Sequence, residues 1–160
     1  MMIKLKEKVV TSYSVTNSVA LITMDNVPSS PKIISEVFNI IANQKINIDM
    51  ITQSPSYKGI INISFTIPGD DLPKAIITLA KFKKTIPALR LDIDSSNTKI
   101  CVSGEGMRSI PGVAANLFTV LSRIEIEIKL VTTSETDISY LISSADEETA
   151  IQAIKNEFGL

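Results

Sequence analysis

Residues 19–54 lie on residues 99–134 at one fixed offset of eighty without a gap, and this internal match constrains the fold more than any other feature. Pro31 falls on Pro111, Phe38 on Phe118, Ile46 on Ile126, Ile48 on Ile128 and Ser54 on Ser134. Between these identities Val37, Ile41 and Met50 meet Leu117, Leu121 and Leu130, so the apolar pattern agrees as well. Such self-similarity at a fixed period marks a structural repeat. Beyond the match the second copy lacks five residues in a loop, after which Ile63, Ser64 and Phe65 lie on Ile138, Ser139 and Tyr140, and Ala75-Ile76 on Ala150-Ile151. The chain therefore holds two small, similar units, and 44% hydrophobic residues supply a core for each.

Each copy reads as strand, helix, strand, strand, helix. In the first, 19–24 is a strand, and Ser29 or Ser30 caps a helix that has Pro31 at its first position. Ile33, Ile34, Val37, Phe38 and Ile41 make the apolar stripe of that helix, which ends near Asn43. Ile46, Ile48 and Met50 alternate with Asn47 and Asp49 as a half-buried strand, and Tyr57-Lys58-Gly59 turns into a second one over 61–67. Asp70 or Asp71 then caps a helix with Pro73 in its first turn, and residues 89–93 alternate as a fourth strand. The second copy repeats the series with strands over 99–103, 124–131 and 138–143 and helices over 111–122 and 146–157. Ser144-Ala145-Asp146-Glu147 has the spacing of a capping box, and Gly159 is placed to end the last helix.

This copy lacks a fourth strand, while residues 9–15 read as a strand with no repeat to belong to. The economical solution lets that segment complete the second sheet. The first repeat, 17–96, is then an insertion within the second, 1–16 plus 97–160. The fold class expected is α+β, with two ferredoxin-like βαββαβ units, each a four-stranded antiparallel sheet carrying two helices on one face.

Charge and side-chain inventory narrow the functions. Sixteen basic against seventeen acidic residues leave no electrostatic footprint for nucleic acid or an anionic membrane, so the partner is a small molecule or a protein. One cysteine, Cys101, and no histidine exclude an internal disulfide, a Cys/His zinc site and a thiolate–imidazole pair, and no cofactor is called for. The charged run over 1–8 is not a signal peptide, and no segment has the roughly 18 apolar residues of a membrane span, so a cytoplasmic chain is expected. An RNA-recognition domain of this topology needs aromatic side chains for base stacking, and three Tyr and five Phe are too few. A small phosphatase of this topology needs a loop with placed Arg and Asn, and Arg108 stands in its loop without Asn. Gly104-Glu105-Gly106 does not complete a phosphate-cradling G-x-G-x-x-G and reads as a strand-to-helix turn. Asp70-Asp71 reads as a helix cap, and Asp92 and Asp94 as the exposed side of a strand. No catalytic residue emerges.

Four segments carry a more specific signal: Val9-Val10-Thr11, the run Ile46-Asn47-Ile48-Asp49-Met50-Ile51-Thr52-Gln53, the run from Ser103 through Gly104, Glu105, Gly106, Met107, Arg108, Ser109, Ile110, Pro111 and Gly112 to Val113, and Thr132-Thr133-Ser134-Glu135. Together they resemble the two ACT repeats of the aspartokinase regulatory region, over nearly the whole chain and without the kinase domain. The resemblance implies an allosteric module that senses threonine or lysine for feedback control of aspartate-family amino-acid synthesis. It also implies a homodimer and an aspartokinase catalytic domain or subunit as partner. In that family effectors sit between two repeats. A helix start suits a carboxylate, because its N–H groups are unpaired and positively polarised, and a neighbouring strand edge offers carbonyls to an ammonium group. The first corner would comprise Ser29, Ser30, Lys32, Ile33, Ile34 and Gln53, finished by the facing edge Glu127-Ile128. The second would pair Ile110, Gly112 and Val113 with Asn47-Ile48. Four positions depart from the family: in Ser29-Ser30-Pro31-Lys32, Ser29 and Lys32 replace the Asp and Gly of Asp-x-Pro-Gly, Ile110 replaces His, and Glu127 replaces Asn. The competing expectation is a repeat pair that dimerises and scaffolds a catalytic partner without any ligand.

Overall fold

The computed structural model describes residues 8–160; the charged run read over 1–8 and the start of the segment 1–16 lie outside the described residues as far as residue 7. In chain order the elements are β1 (Ser12–Pro28), α1 (Pro31–Asn43), β2 (Ile51–Gln53), β3 (Ile60–Pro68), α2 (Leu72–Ala80), β4 (Arg90–Ser103), α3 (Val113–Arg123), β5 (Leu130–Thr133), β6 (Asp137–Ser143) and α4 (Glu147–Phe158). Two compact units result: Ser18–Asn97, and the described residues up to Asn17 together with Thr98–Leu160.

In the Ser18–Asn97 unit the strand order is β2-β3-β1-β4. β1 and β3 pair antiparallel from Val19 opposite Pro68 to Met24 opposite Ile63, and the register shifts before Val27 at a bulge where Asn26 has φ 62°. Alternation sends Ala20, Ile22 and Met24 of β1 and Ile61, Ile63, Phe65 and Ile67 of β3 to one face. Val37 and Ile41 of α1 and Ala75 and Leu79 of α2 cover that face, with the Phe38 ring edge-on to Phe65 at 5.9 Å. The other unit has the order β1-β4-β6-β5, and Ile100, Val102, Ile138, Tyr140 and Ile142 are covered by Leu117 and Leu121 of α3 and Ala150 and Ile154 of α4. Val10 is buried in this second core, Tyr13 and Val15 pack on it, and Thr11 N–H donates to the Ser103 carbonyl at 2.8 Å.

The sequence boundaries need four corrections. First, the strands expected separately over 9–15 and 19–24 are one strand, β1, as are those over 89–93 and 99–103 in β4. Thr16-Asn17-Ser18 and Ser95-Ser96-Asn97 interrupt the apolar alternation, yet the backbone stays extended, with Ser18 and Ser96 alone at φ 55° and 63°. Second, the strand over 46–50 is regular only at 51–53, and that over 124–131 only from 130. Residues 49 and 50 do face β3, through Asp49 N–H to Thr66 O at 3.1 Å and Thr66 N–H to Met50 O at 3.0 Å. The buried Thr66 hydroxyl, however, accepts the Met50 N–H at 3.0 Å and breaks the ladder. Third, neither Asp71 before α2 nor Ser144 before α4 caps by its side chain; a single 3-10 turn leads into each helix instead, and the capping box is not formed. Fourth, the helix expected over 111–122 begins only at Val113. The stop at Gly159 is as expected, in the left-handed region at φ 66°.

Two residues make this architecture testable. A Cβ on Gly104 would lie 1.8 Å from the Val9 carbonyl oxygen, so the glycine is required by the passage of the N-terminal segment and not by any phosphate. Gly104→Ala is expected to cost about 3 kcal/mol, read as a lowered Tm with loss of amide protection over residues 9–13. The Tyr140 hydroxyl is fully buried without a hydrogen-bond partner among the described residues, and burial, with a smaller contribution from Cys101, pushes its ionisation above the ordinary phenol range. Tyr140→Phe is therefore expected to gain about 1 kcal/mol at neutral pH by removing an unsatisfied donor. The folded-state pKa lies above the unfolded one, so this group's contribution is full below about pH 10 and falls by about 1.4 kcal/mol per pH unit above it. Denaturation curves of the two proteins should diverge in that alkaline window.

Candidate functional site

The two helix starts singled out by the repeat are built differently. At the first, Ser29 N–H donates to Gly59 O at 2.9 Å and Ser30 N–H to Pro28 O at 2.7 Å. Ser30 is the cap: its hydroxyl accepts the Ile33 N–H at a long 3.5 Å, and its carbonyl takes the Ile34 N–H at 3.1 Å. Pro31 has no N–H, so of the first turn only Lys32 keeps a donor outside these bonds. Lys32 is exposed, while Ile33 and Ile34 are half-buried against the core of their own unit. Gln53 is exposed at the end of β2, opposite Ile63. These six residues all belong to the Ser18–Asn97 unit.

At the second start Gly112 takes φ 93°, a left-handed conformation that the equivalent Lys32 would adopt only with strain, and α3 begins one residue later. The first helical bond runs from Asn116 N–H to Gly112 O at 2.9 Å, and among the described residues no side chain caps the N–H groups of Val113, Ala114 and Ala115. The loop before it is a 3-10 turn over Glu105–Arg108, tied to the β5–β6 hairpin by Gly104 N–H to Thr136 O at 2.8 Å. Ile110, Gly112 and Val113 come together here, with Met107, Thr133 and Glu135, around a groove of about 230 Å³. Residues 110–113 also line a second hollow of about 340 Å³ on their other side, against Val10 and Phe158.

Several site features escaped the sequence reading. Thr133 is the repeat equivalent of Gln53, and that offset was the signal available to find it. Arg108 does not stand alone: its guanidinium pairs with Glu135 and lies 3.1 Å from the Glu105 carboxylate, leaving a net negative rim beside the helix start. Glu127 and Ile128 line a groove of about 450 Å³ with Phe118, Leu121 and Ile126 of their own unit, and Asn47 and Ile48 lie in the Ser18–Asn97 unit, exposed and half-buried respectively. Among the described residues no group of three or more His, Cys, Asp or Glu is placed to hold a metal ion, and no helix is long and apolar enough to cross a membrane.

A sheet with two helices per unit, occurring twice, matches what comparison with known proteins finds. The ACT domain family model fits residues 22–81 and again residues 100–158. The aspartokinase of Bacillus sp. (strain MGA3) is 31% identical over 152 residues, which cover 95% of this chain and 37% of that protein; the chain thus spans well under half of that relative's length. Among solved structures, that of aspartokinase alpha and beta subunits aligns with a TM-score of 0.85 at 32% identity, over 94% of this chain and 99% of the other. The ligand-free regulatory subunit of aspartate kinase from Thermus thermophilus aligns with the same TM-score at 27% identity, over 94% of this chain and 99% of that one. With two family matches on two similar units and an aspartokinase regulatory subunit covered almost end to end, the chain belongs to the ACT domain family, as a regulatory region of the aspartokinase kind.

Proposed function

We propose that this module senses a free amino acid, threonine or lysine, and relays its level to an aspartokinase catalytic domain or subunit in feedback control of aspartate-family amino-acid synthesis. The observation that carries the reading is the second corner, where three uncapped N–H groups at the start of α3 border a groove rimmed by Thr133 and Glu135. Helix-start donors favour a carboxylate, and the Glu105–Arg108–Glu135 rim, with one more acid than base, favours an ammonium group. In this reading the first corner, Ser29, Ser30, Lys32, Ile33, Ile34 and Gln53, takes its complement from a facing edge bearing Glu127 and Ile128. The second, Ile110, Gly112 and Val113, takes its complement from one bearing Asn47 and Ile48. Such edges are supplied within a homodimer in the cytoplasm.

The relay is a population shift. An effector moves an equilibrium between quaternary arrangements only by its difference in affinity for them, and a coupling of about 1–3 kcal/mol is typical. The scaffold alternative draws on the first corner, where the Ser30 cap already occupies donors that a ligand would use.

Titration with lysine, threonine, methionine and isoleucine by calorimetry, with melting followed in parallel, separates the readings. One amino acid should raise Tm by an amount equivalent to about 2.7 kcal/mol at a hundredfold excess over Kd. Gly112→Ala and Thr133→Ala should weaken that response about tenfold or more if the second corner binds, and Gln53→Ala should do so if the first does. Absence of any signal with all four, from a chain that still dimerises, would leave the scaffold.

A further inference from the structure

The second helices of the two repeats occupy equivalent places and present different faces to solvent. In the register that lays Ala75 on Ala150, Lys74, Ile77, Lys81 and Lys84 fall on Thr149, Gln152, Asn156 and Gly159, so the fold itself asks for none of them. From Leu72 to Leu91 the chain has four lysines, one arginine and no acidic residue, although its net charge as a whole is -1. Arg90 lies 3.2 Å from Asp92 and Lys74 3.9 Å from Asp71, but the ammonium groups of Lys81, Lys83 and Lys84 meet no acceptor among the described residues. Lys74, Ile77, Lys81 and Lys84 are exposed and recur at helical spacing, the last two aligned by the 3-10 turn Lys81–Lys84. Ile77 is 67% exposed in the middle of this stripe, and Ile76 beside it is 38% exposed. The end of a helix accounts for only part of the pattern. Its negative dipole end suits Lys81, Lys83 and Lys84. Lys74 lies in the first turn of α2, where the same field opposes a cation, and no dipole holds an isoleucine in water.

We infer that the outer face of α2 receives an acidic amphipathic helix of a partner protein. An apolar side chain of that helix covers Ile77 and Ile76, and carboxylates one turn to either side meet Lys74 at one end and Lys81 and Lys84 at the other. Charge complementarity identifies the occupant. Lysines without carboxylates of their own call for an acidic surface, and two isoleucines between them call for an apolar side chain at its centre. Nucleic acid would meet the lysines and leave the isoleucines in water. The chain's own acidic helix does not fit: with Ile77 on Ile151, Lys155 of a second copy comes beside Lys74 in an antiparallel seating and against Lys81 in a parallel one. A partner pattern of acid, apolar, acid reads alike from both ends, so it satisfies the stripe in either direction. Lys74 and Lys84 are ten residues apart, a rise of about 15 Å, so the contact is short, weak alone and salt-sensitive. As a second point of attachment it gains from the effective concentration that a first one sets. It is independent of the amino-acid reading.

The test uses the whole chain and a fluorescent, side-chain-stapled helical peptide of about 15 residues, with one leucine at its centre and glutamates one turn to either side. Anisotropy at about 20 mM ionic strength should show saturable binding that weakens about tenfold at about 200 mM. Lys81→Glu and Ile77→Gln, both changes of exposed side chains, should each weaken it roughly fivefold or more, whereas Lys58→Glu, which makes the same change of net charge on the hairpin tip, should not. A peptide with lysines in place of the glutamates on one side should bind Lys81→Glu better than it binds the original chain. No binding at about 1 mM peptide, or binding indifferent to Lys81→Glu and Ile77→Gln, would overturn the assignment. Two other outcomes would overturn it as well. Vesicles of phosphatidylcholine and phosphatidylserine, bound in the peptide's stead with the same sensitivity to both substitutions, would give the face to a membrane. Self-association abolished by Ile77→Gln, without peptide binding, would give it to a second copy.

Discussion

Each unit rests on covering one face of a four-stranded sheet with two helices, because the strands alone would leave a row of large apolar side chains in water. Ile22, Met24, Ile61, Ile63 and Phe65 in one unit, and Ile100, Val102, Tyr140 and Ile142 in the other, are all withdrawn from solvent by this arrangement. At about 25 cal/mol per Å², each such side chain contributes about 1.5–3 kcal/mol. The helices owe their placement to the same constraint. Val37 and Ile41 recur four residues apart on α1 and Leu117 and Leu121 on α3, and Ile33, Ile34 and Phe38 on α1 and Val113 and Val120 on α3 fill in around them. The charges that distinguish the repeats are free to vary on the faces turned away.

Alternation and helical spacing made most of this readable in advance. The order of elements, the apolar faces, the helix over residues 31–43 and the stop at Gly159 all follow from side-chain periodicity and local backbone preference. Long strands hid from the same reading, because Asn17-Ser18 and Ser95-Ser96 look like breaks to a method that counts apolar residues, whereas a strand needs only its backbone partners to continue. The irregular edge at Met50 was equally invisible, since it depends on a hydroxyl 16 residues away in sequence and on the opposite strand.

The candidate corners were legible as a pair and illegible as a contrast. Pro31 and Pro111 align, but Pro31 is the first residue of its helix and Pro111 stands outside the helix that follows it. Two substitutions separate them, Ser30 against Ile110 and Lys32 against Gly112. Glycine at 112 admits a left-handed turn and leaves the following N–H groups uncapped, whereas lysine at 32 keeps a right-handed start that Ser30 closes. The ion pairs of Arg108 could not be inferred either, because Glu135 reaches it across a turn whose shape is set by Gly104 meeting the hairpin at Thr136.

β1 and β4 are neighbours in strand order, and each continues across the division between the units. Asn17 and Thr98, the residues that flank Ser18–Asn97, therefore sit on adjacent strands, where chains run about 5 Å apart. A gap of that width is what a hairpin turn spans. Seen from the outer unit, the inner one occupies the position of a loop, and a loop with its ends so close is among the easiest places in a sheet to lengthen. Nesting one copy there disturbs no pairing in the host, but it places all of Ser18–Asn97 between the host's N-terminal strand and its partner.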